Sequence, residues 1–185
     1  QEVIEPTVQG MAAEGNAYTG FLYAGLMIMA DGSPKVIEYN VRFGDPETQP
    51  ILMRLQSDLV ELCQAAVEQK LDQCSAQWDP RACMGVVMAA GGYPGSYQKG
   101  LAITGVGSVD AGPETGPDVK VFHAGTANQN GTIVTSGGRV LCVTALGDSV
   151  ADAQQKAYAQ VEKISWEGAF YRRDIGYRAI ERERA

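Results

Sequence analysis

Histidine is almost missing from this chain, with His123 the only one in 185 residues. Cysteine is sparse too. Cys63, Cys74, Cys83 and Cys142 form no CxxC pair and no zinc-like spacing. These shortages argue against a Cys/His metal centre and fit reduced thiols, with the cytoplasm as the expected compartment. Cys142, inside the apolar run 140–145, reads as a small core residue. Basic residues are in deficit, 15 Lys+Arg against 22 Asp+Glu, for a net charge of −7. An acidic chain gains no general attraction to nucleic acid or to an anionic membrane, so neither is an expected partner. A local basic group or a metal can still hold phosphate. The longest uncharged apolar stretch, 20–30, is shorter than the roughly 20 residues that span a bilayer. No secretory signal is visible, and the first residue is not Met. The opening reads like the interior of a folded sequence, and the expectation is a piece of a longer polypeptide.

What remains is globular: 45% hydrophobic and 20% charged residues. Pro6 and Gly15 bracket a predicted helix over 6–15. Residues 20–29 and 35–41 read as two strands joined at Asp31-Gly32, an antiparallel hairpin. After the loop 43–50, residues 51–71 have helical character, with Ser57 as the predicted N-cap of an amphipathic helix. The polar stretch 72–81, which holds Pro80, is the expected boundary between domains 1–72 and 78–185. Beyond it, strands are predicted over 82–90, 102–106, 119–124, 132–135 and 139–145. A hairpin turn is expected at Thr135-Ser136-Gly137-Gly138. Ser149 then caps a helix whose Val150, Ala153, Ala157, Tyr158, Val161 and Ile164 share a face, and 175–184 reads as a short charged helix. The fold class is therefore α+β.

The segment 36–49, VIEYNVRFGDPETQ, carries the chemistry. Strand alternation points Glu38, Asn40 and Arg42 one way and Ile37, Tyr39 and Val41 the other, towards packing. A carboxylate and an amide oxygen suit Mg²⁺, which takes one or two protein oxygens and completes its shell with phosphate and water. A guanidinium offers a bidentate fork to phosphate. Polar alternation is also common on any half-exposed strand. The glycine-rich 91–95 (GGYPG) lacks the Lys-Ser/Thr of a P-loop and by itself reads as a turn. His123 ends a predicted strand, where a lone histidine is more often structural than catalytic. Arg139 follows a Gly-Gly turn and could reach an anionic substrate. Tyr18, Tyr23, Trp78 and Trp166 read as packing residues.

Arg42-Phe43-Gly44-Asp45-Pro46-Glu47, with Gln49, resembles the motif of the phosphoribosylamine–glycine ligase family. GMAAEGNAYTGFLYAGLM, SDLVELCQAAVEQKL, GVVMAAGGYPG, KVFHAGT, GGRVLCVTALG and RRDIGYRAIERE resemble successive segments of the second half of that family, in order. The resemblance implies the C-terminal part of an ATP-grasp domain followed by a small α+β domain. It also implies a reaction in which ATP activates the glycine carboxylate as an acyl phosphate. The amine of 5-phosphoribosylamine then attacks, giving glycinamide ribonucleotide, ADP and phosphate in purine biosynthesis. By position, Glu38 and Asn40 match the family's ligands for Mg²⁺ or Mn²⁺, and Arg42 matches the arginine that faces the transferred phosphate. Asp45 and Glu47 either orient the incoming amine or metal shell, or stabilise the loop and cap the following helix. The loop 91–95, His123 and Arg139 are candidates for substrate contact. The implied partners are ATP, glycine, 5-phosphoribosylamine and the remainder of the ligase polypeptide. Lacking the substrate domain and the lid of the nucleotide site, the chain alone is expected to be inactive. The alternative is a non-catalytic binding or assembly module derived from that ligase.

Overall fold

Residues 23–40 form the expected hairpin in the computed structural model, which describes residues 2–107 and 116–184. Strand β1 (Tyr23–Ile28) pairs antiparallel with β2 (Pro34–Asn40). The turn is held by Asp31, whose Oδ1 accepts from the backbone N–H and the hydroxyl of Ser33 at 2.9 and 2.7 Å. Gly32 takes φ +84°, a left-handed value that glycine adopts at no steric cost. Helix α1 (Ile4–Ala13) precedes the hairpin, with Pro6 in its first turn, where a missing N–H costs nothing.

Two helices follow where the sequence suggested one interrupted run: α2 (Thr48–Arg54) and α3 (Leu59–Val67). The cap of α3 is Asp58, not Ser57. Asp58 Oδ1 accepts from Val60 N at 2.7 Å, while Ser57 Oγ accepts from Gln77 N at 2.7 Å and so holds a distant loop. A carboxylate outcompetes a hydroxyl for a helix N-terminus because it also meets the positive end of the helix dipole.

The chain divides into two compact units. The first comprises Gln1–Thr48 and Leu55–Trp78, the second Gln49–Arg54 and Asp79–Ala185. In the second unit β3 (Ala82–Ala89), β4 (Val119–His123) and β7 (Arg139–Gly147) form an antiparallel sheet with β7 in the centre. Helix α4 (Val150–Val161) packs on β3 and β7 and buries Ala153, Ala157 and Val161 completely. Its predicted cap is present, Ser149 Oγ accepting from Asp152 N at 3.1 Å. The core gathers Val86, Met88, Leu141, Val143 and Ala145 from the sheet with Ile164 and Trp166 beyond the helix. Helix α5 (Tyr177–Glu183) ends the fold.

The predicted hairpin turn at 135–138 is not one. Strand β6 (Thr132–Thr135) pairs with β5 (Thr126–Gln129), a strand the sequence reading passed over, and 136–138 crosses from that ribbon to the main sheet. The hairpin turn lies instead at Asn130-Gly131, with φ +52° and +84°. These are the values a two-residue hairpin loop needs. The predicted strand over 102–106 reduces to single bridges at Ala102 and Thr104.

Within the second unit α2 is pinned to the start of β3. Arg54 Nε donates to Asp79 O at 3.0 Å, and Asp79 N donates to Arg54 O at 2.7 Å. The Asp79 carboxylate is gripped by Arg81 Nη2 at 2.7 Å, and Arg81 Nη1 reaches Asp118 at 2.7 Å. Pro50 of α2 lies over Gly85, where an added Cβ would sit 3.2 Å from its ring. Trp166 is 6% exposed and belongs to this core, whereas Trp78 of the first unit is 46% exposed, more open than a packing residue.

Candidate functional site

The hairpin register decides which side chains the first unit presents. Glu38 lies opposite Gly25, Tyr39 opposite Ala24 and Asn40 opposite Tyr23. Glu38 and Asn40 therefore share a face, and Asn40 Nδ2 stands 3.4 Å from Glu38 Oε1. Gly25 gives the carboxylate its room, since a Cβ there would meet Glu38 Cγ at 3.1 Å. Tyr39 points the other way, its hydroxyl 2.8 Å from Thr7 Oγ1 of α1.

Two details depart from simple alternation. The register passes from Glu38 to Val36, so Ile37 is the extra residue of a β-bulge. Ile37 and Val41 are 65% and 68% exposed, so within this chain they do not pack as expected. Strand β2 also stops at Asn40, and Arg42 lies in the bend beyond it, its Nη1 donating to Phe43 O at 3.0 Å. Arg42 therefore lies just outside the strand that carries Glu38 and Asn40. Phe43 stacks on Phe21 with centroids 4.2 Å apart and anchors the bend to the start of the hairpin.

Asp45 and Glu47 occupy the turn before α2. Gly44 O accepts from Thr48 N at 3.0 Å and from Thr48 Oγ1 at 2.6 Å, which closes the turn. The Glu47 carboxylate fills the space beside Gly44 that a Cβ would need, so a larger residue there would have to displace that side chain. Asp45 is exposed and Glu47 half-buried.

Glu38 and Asn40 can together offer two hard oxygen donors if the Asn40 amide turns its oxygen inward. Here the amide turns its nitrogen to Glu38, and a cation would reverse it. Among the described residues no group of three or more His, Cys, Asp and Glu side chains could hold a metal. A cation on this pair would complete its shell with water or phosphate oxygens, the habit of Mg²⁺.

The second unit brings the other candidates to one end of its sheet. His123 closes β4, exposed, with Nδ1 3.0 Å from Thr126 Oγ1. Thr126 was not singled out by sequence, because a lone threonine after His-Ala-Gly carries no signal. Arg139 opens β7 and is exposed. The loop 91–95 is tied to the same end, with Ala90 N donating to Gly138 O at 2.8 Å and the Tyr93 ring lying against Gly138.

Residues 83–178 match the family described as phosphoribosylglycinamide synthetase, C domain, and residues 1–48 match its ATP-grasp (A) domain. The chain is 67% identical over 183 residues to a phosphoribosylamine–glycine ligase of Vibrio vulnificus, covering 99% of this chain. It is 64% identical over 183 residues to the enzyme of that name from Pseudomonas aeruginosa. It spans 42% of the length of each. A crystal structure of phosphoribosylamine–glycine ligase from Thermotoga maritima superposes with a TM-score of 0.79 at 40% identity, covering 94% of this chain and 41% of that one. Among the described residues no helix is long and apolar enough to cross a membrane. The mixed helices and antiparallel sheets, the hairpin with its carboxylate–amide pair and these matches lead to one conclusion: the chain belongs to the phosphoribosylglycinamide synthetase family.

Proposed function

We propose that this chain supplies the metal-binding hairpin and the C-terminal domain of an ATP-dependent ligase. That ligase joins glycine to 5-phosphoribosylamine, giving glycinamide ribonucleotide, ADP and phosphate, in the cytoplasm. The observation that carries the reading is the Glu38–Asn40 pair on one hairpin face, inside the stretch that matches an ATP-grasp domain. Residues 1–72 are taken as the end of that domain and 78–185 as the C-terminal domain.

In this reading Glu38 and Asn40 hold Mg²⁺ or Mn²⁺, which when bound offsets the negative charge of the ATP phosphates. Arg42 reaches the phosphoryl group in transfer, where a guanidinium fork matches two of its oxygens. The glycine carboxylate is thereby able to approach another anion, and positioning supplies much of the remaining acceleration. Asp45 and Glu47 shape the turn beside these groups. ATP, glycine and 5-phosphoribosylamine are the partners, with the remaining ligase polypeptide completing the nucleotide and amine sites. The chain by itself is then inactive.

The test uses the full ligase polypeptide. Glu38→Gln keeps the shape and removes the charge, so turnover should fall on the order of 100-fold, the scale of losing one preorganised charged contact. The divalent-metal requirement should rise with it. An unchanged metal titration for Glu38→Gln would remove the basis of the proposal.

A further inference from the structure

We propose that the outward face of α5 is a docking site for an acidic segment of a separate partner polypeptide.

The inner side of α5 is fastened to the second unit. Ile180 is 8% exposed, and Glu183 Oε1 accepts from Val150 N of α4 at 2.8 Å. Just before the helix, Gln154 Nε2 donates to Ile175 O at 2.7 Å and the Tyr158 hydroxyl donates to Arg172 O at 2.7 Å. The outer side chains are therefore presented on a fixed support. Tyr177, Arg178, Glu181 and Arg182, all exposed, line a surface hollow of about 460 Å³.

The charges around that hollow do not balance. Residues 172–184 carry five arginines against three carboxylates, in a chain whose net charge is −7. Two of those carboxylates are committed elsewhere: Asp174 pairs with Arg172 at 2.7 Å, and Glu183 caps α4. Glu181 remains, and among the described residues no ion pair joins it to Arg178 or Arg182. Arg178 is oriented by its neighbour, since its Nε donates to the Tyr177 hydroxyl at 2.9 Å and its guanidinium lies 5.5 Å from the Tyr177 ring centroid. Its two terminal nitrogens are left as a fork that takes a carboxylate bidentately. Arg182, one turn on, offers a second. Like charges four residues apart on a helix repel, so carboxylates set against both also remove that cost. Tyrosine and arginine are the side chains that most often anchor interfaces. The described lining comes from one helix, so the hollow has no opposite wall. A small anion would stay largely in water there, whereas a chain laid along α5 covers the ring and both forks together.

A fluorescent glutamate oligopeptide is titrated into the 185-residue chain, with a lysine oligopeptide as control and backbone amide shifts marking the place. The glutamate peptide should bind saturably, more weakly as salt rises, and move the amides of 177–182; the lysine peptide should not bind. Arg178→Gln with Arg182→Gln, at exposed positions, should keep the melting temperature and weaken binding on the order of tenfold. Arg178→Lys with Arg182→Lys keeps the charge and loses the forks, so affinity should fall there too, by less. Arg172→Gln with Arg173→Gln makes the same charge change on the same tail and should leave binding nearly unchanged. Absent binding, full affinity in either α5 double variant, or equal weakening by the Arg172 and Arg173 pair would overturn the docking site. Displacement by inorganic phosphate at a lower concentration than the peptide would assign the forks to a small anion. Self-association that Arg178→Gln with Arg182→Gln abolishes would assign the face to a second copy. Loss of peptide binding in the full ligase polypeptide would show that the rest of the ligase covers α5. Each of these three results would overturn the assignment to a separate partner.

Discussion

Asp79 is 8% exposed and fixed by several donors: Arg81 Nη2 at 2.7 Å, Arg81 Nε at 3.0 Å and the Arg81 backbone N–H at 2.9 Å. The Arg81 side chain holds its carboxyl down at about 2, from an ordinary value of 3.8. The unfolded chain therefore binds the proton at a higher pH than the folded chain does. The stabilisation is complete above about 4 and is lost as pH falls through about 2. Melting temperature should decline across that window in the parent chain and decline less in Asp79→Asn; parallel curves would show that Asp79 does not govern acid sensitivity. Nothing in the sequence singled out this residue, because Arg54, which bonds its backbone, and Asp118, which shares Arg81 with it, lie far away along the chain. Glu38 and Asn40 were legible, since a strand of alternating polarity places residues two apart on one face whatever surrounds it. Arg42 lies beyond the end of β2, which alternation cannot report, because it does not show where pairing stops.

At the level of elements, hydrogen bonding separates the two candidate caps of α3. Asp58→Ala should destabilise the chain by about 1 kcal/mol, the usual value of a lost N-cap. Ser57→Ala should leave α3 intact and loosen only the loop at Gln77. Hydrogen exchange at Val60 and Glu61 distinguishes them, and faster exchange in Ser57→Ala alone would contradict the geometry. Val41, 68% exposed, should tolerate alanine within about 0.5 kcal/mol in this chain. A melting shift as large as that of a core valine would mean that this surface is covered. Helices and strands with strong periodicity, α4 and β3 above all, were visible from residue pattern. The ribbon of β5 and β6 was not, because Thr-Ala-Asn-Gln has little apolar content, although Asn130-Gly131 marked its turn.

For the whole molecule, the consequential feature is that α2 folds with the second unit although its neighbours in sequence belong to the first. The polar stretch after residue 72 carries no sign of this, since composition registers where a linker lies and not which core a short helix covers. A polypeptide of residues 49–185 retains Pro50 over Gly85 and the Arg54–Asp79 backbone pair, and one of 78–185 loses both. The longer piece should melt at the higher temperature, and equal melting would show that α2 adds nothing to this core. The tryptophans offer a way to watch such differences without any label. Trp166, enclosed in the second unit, should emit at short wavelength and resist quenching by iodide, whereas the open Trp78 of the first unit should emit further to the red and be quenched readily. Their two colours give each unit its own optical signal during denaturation.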